Sequence, residues 1–163
     1  MAETMRAYFF GTSFGETVEG SPVGLAGFAI PDLGVISRSR ATGGIYECQY
    51  EALLSLLNFI ETNKKYLKEF EFEVMTDSAL IVYQISHKKF ISRDLAPLYN
   101  HAIEYKKRVL FRVNWVPRDE NVAITGLVDV PPMKTDVELK FQFDTNSSFK
   151  IDQPLFDSRN PLT

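Results

Sequence analysis

The chain has 163 residues, of which 45% are hydrophobic and 13% aromatic, and its net charge at pH 7 is −3. This length and apolar content fit one ordinary domain with a packed core and exclude an intrinsically disordered protein. The acidic balance gives no overall attraction to nucleic acid, and the single cysteine, Cys48, excludes an internal disulfide and a zinc site built from cysteines. With no basic leader at residues 1–6 and no apolar run near the roughly 18 residues of a membrane span, we expect a cytoplasmic protein outside the membrane.

The first part of the chain predicts a three-stranded meander. Residues 6–10 are short and aromatic and are closed by Gly11, which is typical of a strand followed by a turn. Residues 11–24 hold four glycines and a proline, so we expect a loop there. Residues 25–30 and 35–40 read as two further strands, joined by the hairpin-turn sequence of residues 31–34.

The period of the apolar residues then changes from two to that of a helix. In residues 46–61, positions 49, 52, 53, 56, 57 and 60 share one helical face, and all of them except Gln49 are apolar. After this helix the pattern predicts strand 70–75, helix 78–85, helix 95–107, strand 109–116 and a short helix over 121–128. The order βββαβαβα indicates a five-stranded mixed sheet with helices on both faces, in the α/β (α+β) class.

We expect this domain to cover residues 5–130 and a C-terminal extension to cover residues 131–163. Within the extension, residues 137–143 (Val-Glu-Leu-Lys-Phe-Gln-Phe) alternate apolar and polar side chains, which predicts one more strand. A strand of this length is not stable alone and must pair with an edge of its own sheet or with a second copy. The proline pair 131–132 stiffens the exit from the domain, so the sequence favours a homodimer that uses residues 137–143.

Three short motifs, in order on the predicted elements, resemble ribonuclease H. They are Gln-Tyr-Glu-Ala-Leu at 49–53, Met-Thr-Asp-Ser at 75–78 and Trp-Val-Pro-Arg-Asp-Glu-Asn at 115–121. The resemblance covers residues 5–130 and is greatest to the single-domain bacterial, archaeal and plant-type members. It implies a ribonuclease H-like fold, and it implies four acidic positions that hold the metal ions of hybrid cleavage.

Those four positions are mostly not acidic in this chain. The Asp that ends the first strand in active members is matched by Phe10, the Glu of the first helix by Gln49, and the Asp of the last helix by Thr125. The Asp after the fourth strand is kept as Asp77, so one acid of four is present. Two-metal hydrolysis holds two Mg²⁺ ions roughly 3.5–4 Å apart, and several carboxylates are needed to offset their repulsion. We therefore expect no metal at this site, no cofactor, and Mg²⁺ only if other acids have moved in.

The best candidate for a displaced acid is Asp129, which lies four residues after Thr125 and on the same face if that helix continues. Other acids of predicted loops are Glu16, Glu19, Asp119 and Glu120. Asp77 also has a purely structural interpretation, because Thr-Asp-Ser at 76–78 is a good N-cap sequence for the helix that follows.

Four lysines form the candidate contact with nucleic acid. They lie in the segment that grips the hybrid in this family, although such lysines are more often solvated surface: Lys88, Lys89, Lys106 and Lys107.

Three hypotheses about function follow. The first is a ribonuclease H-like domain that has lost hydrolysis of RNA–DNA hybrids and acts as a binding or assembly module, with a protein or nucleic acid as partner. The second is an active or weakly active metal-dependent nuclease that uses Asp77 with relocated acids. The third is a structural protein whose tail builds an oligomer.

Overall fold

A five-stranded sheet in the order β3-β2-β1-β4-β5 organises residues 3–88 and 91–126, the part of the chain described by this computed structural model. The strands are β1 Glu3–Val18, β2 Ser21–Ile30, β3 Val35–Thr42, β4 Phe70–Thr76 and β5 Phe111–Trp115. The pairs β1–β2 and β2–β3 are antiparallel, whereas β4 lies parallel to β1 and β5 parallel to β4. The predicted five-stranded mixed sheet is thus confirmed.

Helices cover both faces of this sheet. They are α1 Ile45–Thr62, α2 Lys64–Leu67, α3 Ala79–His87, α4 Ala96–Tyr105 and α5 Val122–Thr125, and short 3-10 turns lie at Pro31–Leu33 and Arg118–Glu120. The main core joins one sheet face to α1, α3 and α4 through residues such as Leu53, Ile81 and Ala102. A smaller apolar cluster on the opposite face packs under α5. The predicted strand 137–143 and the rest of the extension lie outside the described residues.

The predicted loop over residues 11–24 is wrong. Most of this segment continues β1 and β2 as one long hairpin, and the chain turns at Glu19 and Gly20, whose φ angles are 52° and 82°. Two of the glycines are needed for close packing: a Cβ on Gly11 would lie 2.3 Å from the backbone nitrogen of Gln49, and one on Gly24 would lie 2.8 Å from Cys48 Sγ. The sequence pattern was misread because glycine serves close approach of two backbones as well as turns.

The alternation of side chains along β1 sets up the site. Phe9 is fully buried in the main core under α1, and the next residue, Phe10, points to the opposite face and is buried in the smaller cluster. The carboxyl end of β4 lies beside the middle of β1, with Tyr8 paired to Met75. Asp77, which directly follows β4, is therefore placed between α5 and the end of the sheet.

Candidate functional site

Asp77 is held by a buried asparagine. Its Oδ1 accepts a hydrogen bond from Asn121 Nδ2 at 2.9 Å, and its Oδ2 lies 3.8 Å from a guanidinium nitrogen of Arg118. Asn121 is fully buried; the same Nδ2 also donates to Phe9 O at 2.9 Å, and its Oδ1 accepts from Ala123 N at 3.1 Å, which caps α5. The carboxylate of Asp77 thereby joins β4 to α5, and Asn121 joins both to β1.

The N-cap of α3 is Ser78 rather than Asp77. Ser78 Oγ accepts from Ile81 N at 3.3 Å, while Thr76 Oγ1 accepts from Ser78 N at 3.2 Å. The N-cap sequence at 76–78 is thus used, but Asp77 contributes to a contact between distant segments instead.

Gln49 is a buried amide with both ends bonded. Its Nε2 donates to Gly11 O at 3.4 Å, and its Oε1 accepts from Ser78 Oγ at 2.6 Å. The close approach of α1 to β1 at Gly11 brings this side chain within reach of the strand. The amide oxygen that would have to act as a metal ligand is therefore already occupied by a hydroxyl donor.

Phe10 lies in an apolar cluster beside a buried cation. It packs with Ala29, Ile36 and Ala123, and the guanidinium carbon of Arg38 lies 5.9 Å from the centroid of its ring. Arg38 is only 4% exposed and donates from Nη2 to Ala123 O at 3.2 Å and to Ile124 O at 3.3 Å. The position that the resemblance assigns to a catalytic acid is thus apolar, and its nearest charge is positive.

The remaining candidate acids do not gather at Asp77. Thr125 is exposed at the end of α5, and its backbone nitrogen donates to Asn121 O at 3.0 Å. Exposed positions on the hairpin and in the 3-10 turn before α5 carry Glu16, Glu19, Asp119 and Glu120. Asp129 lies outside the described residues. Within residues 3–88 and 91–126, no group of three or more His, Cys, Asp or Glu side chains could hold a metal ion. These residues do not fit a pair of Mg²⁺ ions.

A partly buried pair of acids lies on α1, next to the site. Burial, and secondly the charge of Glu47, raise the pKa of Glu51 to about 7. Glu47 itself accepts from Gly44 N at 2.9 Å and so closes the first turn of the helix. Burial also raises the pKa of the Cys48 thiol to about 11, with Glu51 and Glu47 adding to the effect. Cys48 is therefore a buried thiol rather than a reactive one.

The candidate lysines have different environments. Burial, and secondly the charge of Lys88, lower the pKa of Lys106. Lys106 Nζ donates to Phe111 O at 2.6 Å and lies 4.1 Å from the centroid of the Phe111 ring. Lys107 forms an exposed ion pair with Glu104 at 3.3 Å. Lys89 lies outside the described residues.

The sequence pattern did not identify Asn121, Arg38 or Arg118 as residues of this site. Asparagine before a short helix is a recognisable N-cap signal, so the capping role of Asn121 could have been found. Its bonds to Phe9 and Asp77, and the reach of Arg38 to α5, join residues between 44 and 112 positions apart and left no local signal.

None of the helices among the described residues is both long and apolar enough to cross a membrane.

Comparison with known proteins supports the fold. No protein family model and no curated protein sequence matches this chain. Among solved structures, LC11-RNase H1, isolated from compost by a metagenomic approach, superposes with a TM-score of 0.58 at 24% identity, over 75% of this chain and 89% of that one. RNase H1 of the halophilic archaeon Halobacterium salinarum superposes with a TM-score of 0.55 at 21% identity, over 72% of this chain and 89% of that one.

A third solved structure shows the same likeness. The N-terminal RNase H domain of a Mycobacterium tuberculosis protein has a TM-score of 0.54 and 22% identity, over 72% of this chain and 86% of the compared chain. LC11-RNase H1 is also known in complex with an RNA/DNA hybrid. The sheet order, the helices on both faces and these superpositions together establish that this chain has the ribonuclease H-like fold.

Proposed function

We propose that this chain is a ribonuclease H-like domain that does not hydrolyse RNA–DNA hybrids and that acts as a binding or assembly module. The observation that carries the proposal is the environment of Asp77. Its carboxylate, the one acid kept of four, accepts from the buried amide of Asn121 and faces Arg118. A metal ion at Asp77 would have to share the carboxylate with the Asn121 amide and would be repelled by the guanidinium of Arg118.

The chemistry of the neighbouring positions supports the same conclusion. Mg²⁺ requires near-octahedral oxygen ligands and releases its water reluctantly, so a single carboxylate that already accepts a hydrogen bond from Asn121 is a poor binding site. Phe10 offers no ligand atom, and the buried guanidinium of Arg38 beside it repels a second cation. In this family the metal pair activates the water and stabilises the leaving oxygen, and residues 3–88 and 91–126 hold no group of three or more acids, histidines or cysteines that could bind it.

A cleavage assay tests the loss of hydrolysis. The full chain is incubated with a labelled RNA–DNA hybrid in Mg²⁺ and separately in Mn²⁺, beside an Asp77→Asn variant prepared in the same way. We expect no cleavage above the level of that variant. Cleavage by the parent that disappears in Asp77→Asn would establish the active-nuclease alternative and overturn the proposal. Equal cleavage by both proteins would come from a contaminating nuclease and would not contradict the proposal.

For the partner, the acidic balance of the chain favours a protein, and one local observation favours nucleic acid. Burial, and secondly the charge of Lys88, lower the pKa of Lys106. A bound phosphate or carboxylate would offset the repulsion between these two charges. The second candidate function is therefore sequence-independent binding of a nucleic-acid backbone at Lys88 and Lys106.

Binding measured against salt distinguishes the two kinds of partner. Fluorescence anisotropy with a labelled RNA–DNA hybrid is recorded at salt concentrations from about 25 to about 200 mM, because binding to phosphates weakens steeply over this range. If the backbone is bound here, Lys88→Gln should weaken binding and reduce the slope of log K against log salt by about 0.9. Lys64→Gln, an exposed lysine on α2, is the control of equal charge. No binding by the parent at the lowest salt excludes the nucleic-acid candidate.

A further inference from the structure

The sheet has two outer edges, and they differ in how they are protected. Among the described residues no strand pairs with the outer side of β3 or of β5. An open edge presents unpaired N–H and C=O groups that another strand can bind. We propose that residues 137–143 of the same chain pair with the outer edge of β3 as a sixth strand.

The β5 edge is closed by a lysine. Leu110 O accepts from Phe72 N of β4 at 2.9 Å, so the carbonyl of the next residue, Phe111, points away from β4 because successive groups alternate in direction. Lys106 Nζ bonds that outward carbonyl at 2.6 Å. A lysine on the edge is a common way to prevent further strand pairing. With only five residues, β5 is also shorter than the segment that would have to pair with it.

The β3 edge has the length that the segment requires. β3 contains eight residues, against the seven of residues 137–143. Its side chains are also inaccessible on both faces: the consecutive residues 35–39 are between 0% and 8% exposed.

The chain leaves α5 next to β3. Arg38 of β3 donates to the carbonyl groups of Ala123 and Ile124, and Ile36 of β3 packs with Ala123. From Gly126, where α5 ends, ten residues lead to Val137, and ten residues span up to about 33–36 Å when extended. Neighbouring strands are only about 5 Å apart, so the linker reaches the edge of its own sheet with ease. This short tether gives the intramolecular partner a high effective concentration over a second copy.

The two stripes of the segment match the two faces of β3. Val35 and Ala41 belong to the main core, so Ser37 and Ser39 share the face that α1 covers. These small side chains leave room for larger neighbours, and the apolar stripe of the segment ends in two phenylalanines, Phe141 and Phe143.

The other stripe then meets a charged face. Arg38 and Arg40 alternate with those serines and lie on the opposite side of β3. The polar stripe, Glu138, Lys140 and Gln142, would lie on that side and has no net charge. The alternation of residues 137–143 thus matches the two faces of β3 in apolar content, and charge does not add to the match.

Hydrogen exchange in the full chain tests the pairing. Amide exchange of β3 is followed by NMR in the parent, in Leu139→Pro, which removes a donor from the middle of the proposed strand, and in Thr135→Pro, which lies outside it. In the parent and in Thr135→Pro we expect protection of the β3 amides that point away from β2, which are every second amide of the strand. In Leu139→Pro these outward amides should exchange at least about tenfold faster. The amides of β4, in the middle of the sheet, should be unchanged in all three proteins and so report that the domain stays folded.

Two results would overturn the inference. One is fast exchange of the outward β3 amides in the parent, or equal exchange in the two proline variants. The other is β3 protection that rises with protein concentration together with a dimeric mass by light scattering, since residues 137–143 would then pair with a second copy. A monomeric mass at high micromolar concentration with protected β3 amides supports pairing within one chain.

Discussion

Replacing Asn121 by alanine should destabilise the fold severely, because one side chain joins three segments. The amide donates to Phe9 O and to the Asp77 carboxylate, each at 2.9 Å, and accepts from Ala123 N. A neutral buried hydrogen bond contributes about 1 kcal/mol, one to a charged group about 1.5–3 kcal/mol, and an N-cap about 1 kcal/mol. These three contributions sum to about 3.5–5 kcal/mol, and Asp77, whose side chain is 19% exposed, can regain part of its share from water. We therefore expect Asn121→Ala to lower the free energy of unfolding by about 3–4 kcal/mol.

Urea denaturation followed by circular dichroism measures this change. With an m-value near 2 kcal/mol/M, the midpoint should fall by about 1.5–2 M. The matched control is Asn114→Ala, because Asn114 makes a single 3.3 Å bond to Glu73 on the open sheet face and should lose less than about 1 kcal/mol. If the two variants unfold at the same urea concentration, Asn121 does not join the segments and the account of Asp77 as its acceptor is wrong.

Three further changes have defined outcomes. Gly11→Ala should destabilise the fold by about 1–3 kcal/mol in the same urea assay, since the new Cβ meets the backbone of Gln49 at 2.3 Å. Gly44→Ala has no contact closer than 3.6 Å but replaces the N-cap glycine of α1, so it should lose less, about 0.5–1 kcal/mol. Glu51 binds its proton more tightly in the folded state, where its pKa is about 7, so its contribution to stability is complete below pH 4.5 and is lost as the pH rises through 7. Thermal unfolding should therefore show Glu51→Gln to be more stable than the parent at pH 8, by up to about 2 kcal/mol, and equal to it at pH 4; equal stability at both values would refute the shift. Gln49→Glu should destabilise the fold by about 2 kcal/mol at pH 8, because a carboxylate would then face the carbonyl oxygen of Gly11. The loss should be smaller at pH 4, where a protonated carboxyl can donate to that oxygen again. A loss independent of pH would contradict the 3.4 Å bond from Gln49 Nε2 to Gly11 O.

The sequence by itself determined the order of the elements and the residue types at the four positions that the resemblance points to. Apolar spacing in residues 46–61 and the short runs around Phe72 and Val113 predict helix and strands because burial of one face demands those periods. That Phe10 and Gln49 stand at two of these positions is visible in the sequence, since it concerns residue identity alone. The hairpin was missed because glycine has two physical uses and the sequence does not distinguish them.

Only the tertiary structure decided which residues surround Asp77. Asn121, Asp77 and Phe9 are brought together by parallel pairing of β1 with β4 and by the position of α5, not by any local pattern. A hydrogen bond is satisfied by whichever donor the fold brings within about 3 Å, and that partner is set by packing over the whole sheet. The same reason explains why the bond from Lys106 to the carbonyl of Phe111 on β5 could be seen only in three dimensions.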